Sequence, residues 1–177
     1  MDEGRSKPVI RRATVDDAAL VAALGARTFA ETFGADNRPD DMAAYLAAAF
    51  GLPQQTAELS NPDYVTLLAE VGGAMAGFAQ VRRRTPPACV RGPAPVEIQR
   101  FYVDRPWHGC GVAAPLMRAS LDAVRALGGR SAWLSVWERN PRALAFYAKQ
   151  GFTRSGAAEF RVGSDCQTDH ILERAAD

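Results

Sequence analysis

Val103-Asp104-Arg105-Pro106-Trp107-His108-Gly109-Cys110-Gly111-Val112-Ala113-Ala114-Pro115-Leu116 carries an apolar strand into a small-residue turn and out into a helix. Gly109 and Gly111 let the backbone approach a ligand closely and take up dihedrals closed to other residues. The first turn of the helix offers unpaired N–H groups and the positive end of the helix dipole, a site suited to phosphate or pyrophosphate. Pro115 has no N–H, so it is tolerated only within a first turn. It therefore sets the helix start near Ala113 and assigns the free amides to Gly109, Cys110, Gly111, Val112, Ala113 and Ala114. Beyond it Met117, Leu121 and Val124 recur as a core-facing stripe. A P-loop would need Gly-Lys-Ser/Thr at its end, and no lysine is present. Gly109 to Ala114 formally satisfies G-x-G-x-x-A, the fingerprint of a nicotinamide-dependent oxidoreductase. That fingerprint opens a doubly wound domain, and the chain has room for about one more unit after it. The plain alternative is a tight turn in which glycine serves packing alone.

A second dense passage follows, Glu138-Arg139-Asn140-Pro141-Arg142-Ala143-Leu144-Ala145-Phe146-Tyr147-Ala148-Lys149-Gln150-Gly151-Phe152. Asn140 has the form of an N-cap and Pro141 of the first helical residue. Tyr147 lies two turns further along the same face. It reads either as a core tyrosine with a satisfied hydroxyl or as a phenol aimed at a reacting sulfur.

Working outward, Val9 to Arg12 reads as a strand, and Thr14-Val15-Asp16-Asp17 as a capping box for a helix running to Phe33. Pro39 to Phe50 has an amphipathic pattern, with Gly51 as the residue after its C-cap. Gln54 to Leu59 forms a further short helix. Tyr64 to Glu70 and Met75 to Val81, split by Gly72-Gly73, predict an antiparallel hairpin. Thr85 to Pro95 is a proline-rich loop, and Val96 to Val103 the next strand. A helix to Leu127, a strand over Ala132 to Val136, a helix over Pro141 to Lys149 and further strand-like sequence complete the chain. The expectation is one α+β domain over residues 1–177, with a mixed, mostly antiparallel sheet flanked by helices.

Bulk properties narrow the function. The chain has 177 residues, 47% of them hydrophobic and 23% charged, which is the composition of an ordinary globular protein. With 21 basic and 20 acidic residues it lacks the footprint of a nucleic-acid binder. Arg82-Arg83-Arg84 reads as a solvated strand end or as a phosphate contact. The polar start, Met1 to Lys7, has no apolar region behind it, which argues against a secretory signal. No stretch reaches the roughly 18 apolar residues that span a membrane. Three scattered cysteines, Cys89, Cys110 and Cys166, fit a reducing, cytoplasmic setting. His108 and Cys110 have no second ligand pair, so no metal is expected.

The two motifs in this order resemble the GNAT superfamily of Gcn5-related N-acetyltransferases. His108-x-x-Gly111-x-Ala113 is similar to its Arg/Gln-x-x-Gly-x-Gly/Ala pyrophosphate loop. Asn140 to Phe152 is similar to its Asn-x-x-Ala-x-x-Phe-Tyr-x-x-x-Gly-Phe segment. Thr28-Phe29, Asp41-Met42-x-x-Tyr45-Leu46-x-x-x-Phe50, Trp133-Leu134-x-Val136-Trp137-Glu138 and Gln167-Thr168-Asp169 also look like the PaiA type of spermidine/spermine acetyltransferase. His108 departs from the family pattern, and a neutral imidazole brings less positive charge than arginine.

The resemblance implies acetyl-CoA as cofactor and a small-molecule amine as acceptor, a polyamine such as spermidine or spermine among the candidates. It also implies that the backbone of Phe101, Tyr102 and Val103 pairs with the pantetheine arm, and that Asn140 touches the cofactor. A backbone N–H near Tyr102 would stabilise the oxyanion. An alkylammonium titrates near pH 10.4, so the site should remove its proton; Glu97, early in its strand, is the candidate general base, or else an exposed, inert strand-end glutamate. Tyr147 is the candidate general acid toward the leaving thiolate. Glu31 and Asp36 are candidate acceptor-side carboxylates, with Asp40 and Asp41 beside them unless they only cap helices. Neither nucleic acid nor membrane is expected as a partner; a homodimer is an option. A non-enzymatic acyl-CoA sensor or regulator is the alternative that keeps the loop.

Overall fold

The computed structural model describes residues 6–177, so Met1 to Arg5, most of the segment read for a secretory signal, lie outside the described residues. Strand β1 (Val9–Arg12) leads through a single 3-10 turn, Val15–Asp17, into α1 (Ala18–Phe33). The Asp17 side chain caps the turn as the sequence predicts, accepting from the Thr14 N–H at 2.8 Å, and the Asp17 N–H closes the turn on the Thr14 carbonyl at 3.0 Å. Helices α2 (Pro39–Phe50) and α3 (Leu52–Ser60) follow with almost no connection. Gly51 between them differs from expectation. Its φ of −60° is open to any residue, so it is no left-handed C′ glycine. It is needed because a Cβ there would strike the Ala47 carbonyl.

Hairpin β2 (Tyr64–Val71) and β3 (Ala74–Arg82) turns on Gly72 and Gly73, with φ of 59° and 84°. Then come β4 (Pro95–Val103), α4 (Ala113–Ala126), β5 (Ser131–Trp137), α5 (Pro141–Lys149), β6 (Thr153–Val162) and β7 (Asp165–Ala175). The seven strands lie in the order β1-β2-β3-β4-β5-β7-β6. Of the six strand contacts among the described residues, one, β4 with β5, is parallel. The sheet is thus mixed and mostly antiparallel, and the doubly wound architecture of the oxidoreductase alternative is corrected.

The sheet buries both faces. On one, Leu116, Met117, Leu121 and Val124 of α4 meet Leu67, Val81, Val96, Ile98 and Leu134, all at most 8% exposed. On the other, Val21, Leu24, Phe29, Met42 and Phe50 of α1 and α2 meet Leu68, Phe78 and Val162. A buried polar network locks α2 and α3 to β3 and β4. Arg100 donates to Glu58 Oε2 at 2.5 Å, to Gln80 Oε1 and to the Ala49 carbonyl at 2.9 Å. Gln80 Nε2 in turn donates to Gln55, Glu58 and Thr66. Each buried polar group here is paired, as burial requires.

The feature that positions the site is where the parallel pair ends. Strands β4 and β5 pair over Pro95–Glu97 and Ser131–Trp133, with Glu97 opposite Trp133 the final pair. Yet β4 runs on to Val103 and β5 to Trp137. The two strands part, and the edge of β4 from Ile98 onward is left without a β5 neighbour.

Candidate active site

The phosphate-type loop lies at the far end of this wedge. Asp104 caps a 3-10 turn, Arg105–Trp107, by accepting from the Arg105 N–H, and holds Arg27 of α1 in an ion pair of 2.6 Å. Gly109 and Gly111 have φ of 75° and 77°, the left-handed region that favours glycine. A Cβ at either would meet nothing within 4 Å, so open space lies before both. Helix α4 starts at Ala113, and the first helical bond beyond Pro115 runs from the Leu116 N–H to Val112 O at 3.2 Å. One reading needs correction: the Cys110 N–H donates to Trp107 O at 3.1 Å and is not available to a ligand. The amides of Gly109, Gly111, Val112, Ala113 and Ala114 remain, as the free donors of a helix start should.

His108 brings a partner that sequence spacing hides. Its Nε2 lies 2.8 Å from Val103 O, which fixes the Nε2–H tautomer, and Arg142 donates to Nδ1. Arg142 sits in the first turn of α5, after the Asn140 cap, whose Oδ1 accepts from the Ala143 N–H at 3.1 Å. A guanidinium thus stands beside the loop, where the family pattern has arginine or glutamine at position 108 itself.

Helix α5 packs on the same face of the sheet as α4 and brings Tyr147 to β4. Tyr147 is 7% exposed and meets Phe101 edge-on at 6.2 Å, with Phe146 and Phe152 around it. Burial raises its phenol well above the usual value, so the proton stays on at neutral pH.

Glu97 lies elsewhere in function. It is 6% exposed, but Arg82 Nε holds its Oε2 at 2.5 Å and Arg84 stands 3.8 Å from its Oε1. Its carboxylate is committed to ion pairs with two guanidiniums, and this geometry argues for a structural role in place of its candidacy as the base. The same contacts account for the arginine run. Arg82 and Arg84 serve Glu97, and Arg83 donates to the Leu127 carbonyl at 2.9 Å, closing the end of α4.

Across the wedge, the face under α1 and α2 holds a different chemistry. Trp137 packs on Phe33 at 5.4 Å, Tyr45 stacks on Phe29 at 4.6 Å, and Phe160 meets both Phe29 and Tyr45. Tyr102 of β4 stacks on Phe78 at 5.6 Å. It is sunk in the fold but keeps part of its surface open. Among these aromatics Asp169 of β7 stands opposite Trp137 and Ala158. A cavity of ≈150 Å³ opens beside it, lined by Asp36, Trp137, Glu138, Arg139, Asp165 and Gln167 among others. Asp36 therefore reaches the cleft. Glu31 is exposed on α1 and does not line it. Asp41 ties α2 to the β6–β7 turn by accepting from Ser164 at 3.4 Å. Sequence reasoning missed Arg142, Glu138 and Asp169 as site residues. Asp169 was visible only as part of Gln167-Thr168-Asp169.

Residues 26–152 match the acetyltransferase (GNAT) family. The chain belongs to the GNAT acetyltransferase family. An uncharacterized N-acetyltransferase of Lactobacillus delbrueckii subsp. lactis is 32% identical over 86% of this chain and 88% of its own length. Another, from Mycobacterium tuberculosis, is 31% identical over 89% of this chain and 97% of its own. In fold, the chain is similar to a PaiA N-acetyltransferase from Thermoplasma acidophilum, solved in complex with coenzyme A. The TM-score is 0.77 at 17% identity, covering 96% of this chain and 99% of that one. GNAT membership makes this chain an acetyltransferase. No helix among the described residues is long and apolar enough to cross a membrane.

Proposed function

We propose that this GNAT enzyme transfers the acetyl group of acetyl-CoA to a primary amine, with polyamines such as spermidine and spermine the best-suited acceptors. The observation that carries this reading is the parted β4–β5 edge, with an anion-binding loop on one side and an acidic, aromatic cleft on the other. Acetyl-CoA supplies an activated thioester when bound. The amides of Gly109, Gly111, Val112, Ala113 and Ala114, backed by the α4 dipole, suit its pyrophosphate. Arg142, held by His108, adds the positive charge that an imidazole lacks. The open-edge backbone of Phe101 and Val103, flanking Tyr102, suits an extended amide-bearing arm, as a strand edge suits an added strand, with the Val103 carbonyl already held by His108. The N–H groups of Phe101 and Val103, on either side of Tyr102, face the open edge and are the candidates to steady negative charge on the reacting carbonyl oxygen.

Tyr147 holds a proton at its hydroxyl and gives it to the departing sulfur. Burial keeps the phenol protonated at neutral pH, so the proton is in place when the sulfur leaves. Asp36, Glu138 and Asp165 around the cleft offer a multiply charged polyamine more than one carboxylate. Cys89, Cys110 and Cys166 are all free, which fits work in a reducing compartment such as the cytoplasm. The test is to incubate the protein with acetyl-CoA and a panel of amines and identify products by mass. Acetylated spermidine or spermine in preference to monoamines supports the polyamine reading. Equal use of monoamines refutes that specificity, and binding of acetyl-CoA without any product favours the sensor.

A further inference from the structure

Asp169 is 9% exposed, and its Oδ1 is buried with no hydrogen-bond partner among the described residues. Such an orphan is costly, and buried carboxylates are normally paired or fully hydrogen-bonded. Among the described residues no cation stands at contact distance from Asp169. Glu138, whose N–H donates to the Thr168 carbonyl at 3.1 Å, adds a second negative charge nearby. Tyr45 from α2 and Tyr102 from β4 both lie within reach of the Asp169 charge. Trp137 stands opposite it on β5. A carboxylate without a counterion, set among aromatic faces, has the chemistry of an alkylammonium site.

We infer that Asp169 is a catalytic residue that anchors the acceptor ammonium and takes its proton. This deepens the acetyltransferase reading and rests on it. The ammonium N–H satisfies the orphaned Oδ1. The N–H bond breaks toward the carboxylate, and the electron pair left on nitrogen forms the new C–N bond to the acetyl carbon. The C–S bond breaks, its pair leaves on sulfur, and sulfur takes the Tyr147 proton. The second proton lost from nitrogen restores the Tyr147 phenol, and the proton on Asp169 passes to water through the cleft. The products are an amide, a thiol and one proton. Desolvation, with Glu138 adding to it, pushes the Asp169 carboxyl up to about 6, which suits a base working near neutral pH.

The test compares wild type with Asp169→Asn, which keeps the shape. Calorimetric titration of spermidine into the CoA complex reads anchoring without turnover, and kcat/KM for spermidine across pH 5 to 9 reads the base. The expected result is at least tenfold weaker spermidine binding and a 10²–10³-fold fall in kcat/KM with loss of the acidic limb near pH 6. CoA binding should stay within threefold, and the variant should melt at or above the wild-type temperature at pH 7. A carboxylate that merely held the fold would lower that temperature. Unchanged spermidine affinity, or an acidic limb that persists in the variant, overturns the proposal. A wild type that binds spermidine through Asp169 but acetylates no amine supports the anchor and refutes the acetyltransferase reading instead.

Discussion

Replacing Tyr147 by phenylalanine removes one oxygen and keeps the ring contacts with Phe101, Phe146 and Phe152. The expected outcome is a fall in kcat of about 10–10³-fold with little change in acetyl-CoA affinity, measured by thiol release. Arg142→Ala should act in the opposite way. It raises KM for acetyl-CoA about three- to tenfold, more at low salt than at high, and leaves kcat within about twofold. These two residues also mark what a linear sequence conveys. The helix that carries Tyr147 was legible because it brings its own cap, face and aromatic partners within a few residues. The Arg142–His108 contact joins residues 34 apart across two elements, and nothing local announces it. The setting of Glu97 was hidden for the same reason. Its strand left open whether it is buried or exposed, and Arg82 is brought to it by the β3–β4 register, which is interrupted by a bulge next to Val81.

Elements stand or fall on their ends. Gly111 has open space where a Cβ would sit, so Gly111→Ala introduces backbone strain and no clash. The substitution should cost about 1 kcal/mol and lower Tm by about 2–4 °C, while raising KM for acetyl-CoA as the loop distorts. Thermal unfolding and saturation kinetics check both effects. The polar network under α3 is a harder constraint. Arg100→Met leaves Glu58 buried without its cation and should destabilise by about 3–5 kcal/mol, read from denaturant unfolding. Helix and strand bounds were readable almost to the residue where capping and turn chemistry mark them, as at Thr14, Pro39, Gly72, Pro115 and Asn140. Gly51 shows the limit. A glycine at a helix end signals a left-handed cap by default, but here it admits the Ala47 carbonyl, a contact set by how α2 and α3 abut.

For the molecule as a whole, pH couples stability to the site. Asp17, paired with Arg11, is lowered to about 2, so its contribution is complete above its ordinary value of 3.8 and fades as pH falls through 2. Asp169 has the reverse sign. Its folded carboxyl, raised to about 6, binds a proton that the unfolded chain has released, so stability falls as pH rises from about 4 to about 6. The stability difference between Asp169→Asn and wild type should therefore grow across that window and level off above it. Its size should be about 2 kcal/mol, below the full value of the shift because the cleft admits water. Denaturant unfolding at pH 4, 5, 6 and 7 measures it. The cleft forms only where the turn after α1 meets the ends of β5 and β7, which is why no single motif spans it, whereas the loop that starts α4 could be read from fourteen consecutive residues. Thiol release from acetyl-CoA with an amine panel, wild type against Tyr147→Phe, tests the central claim most directly. Amine-dependent release that drops at least tenfold in the variant is the predicted result. Equal rates in the two proteins, or no release with any amine, would contradict it.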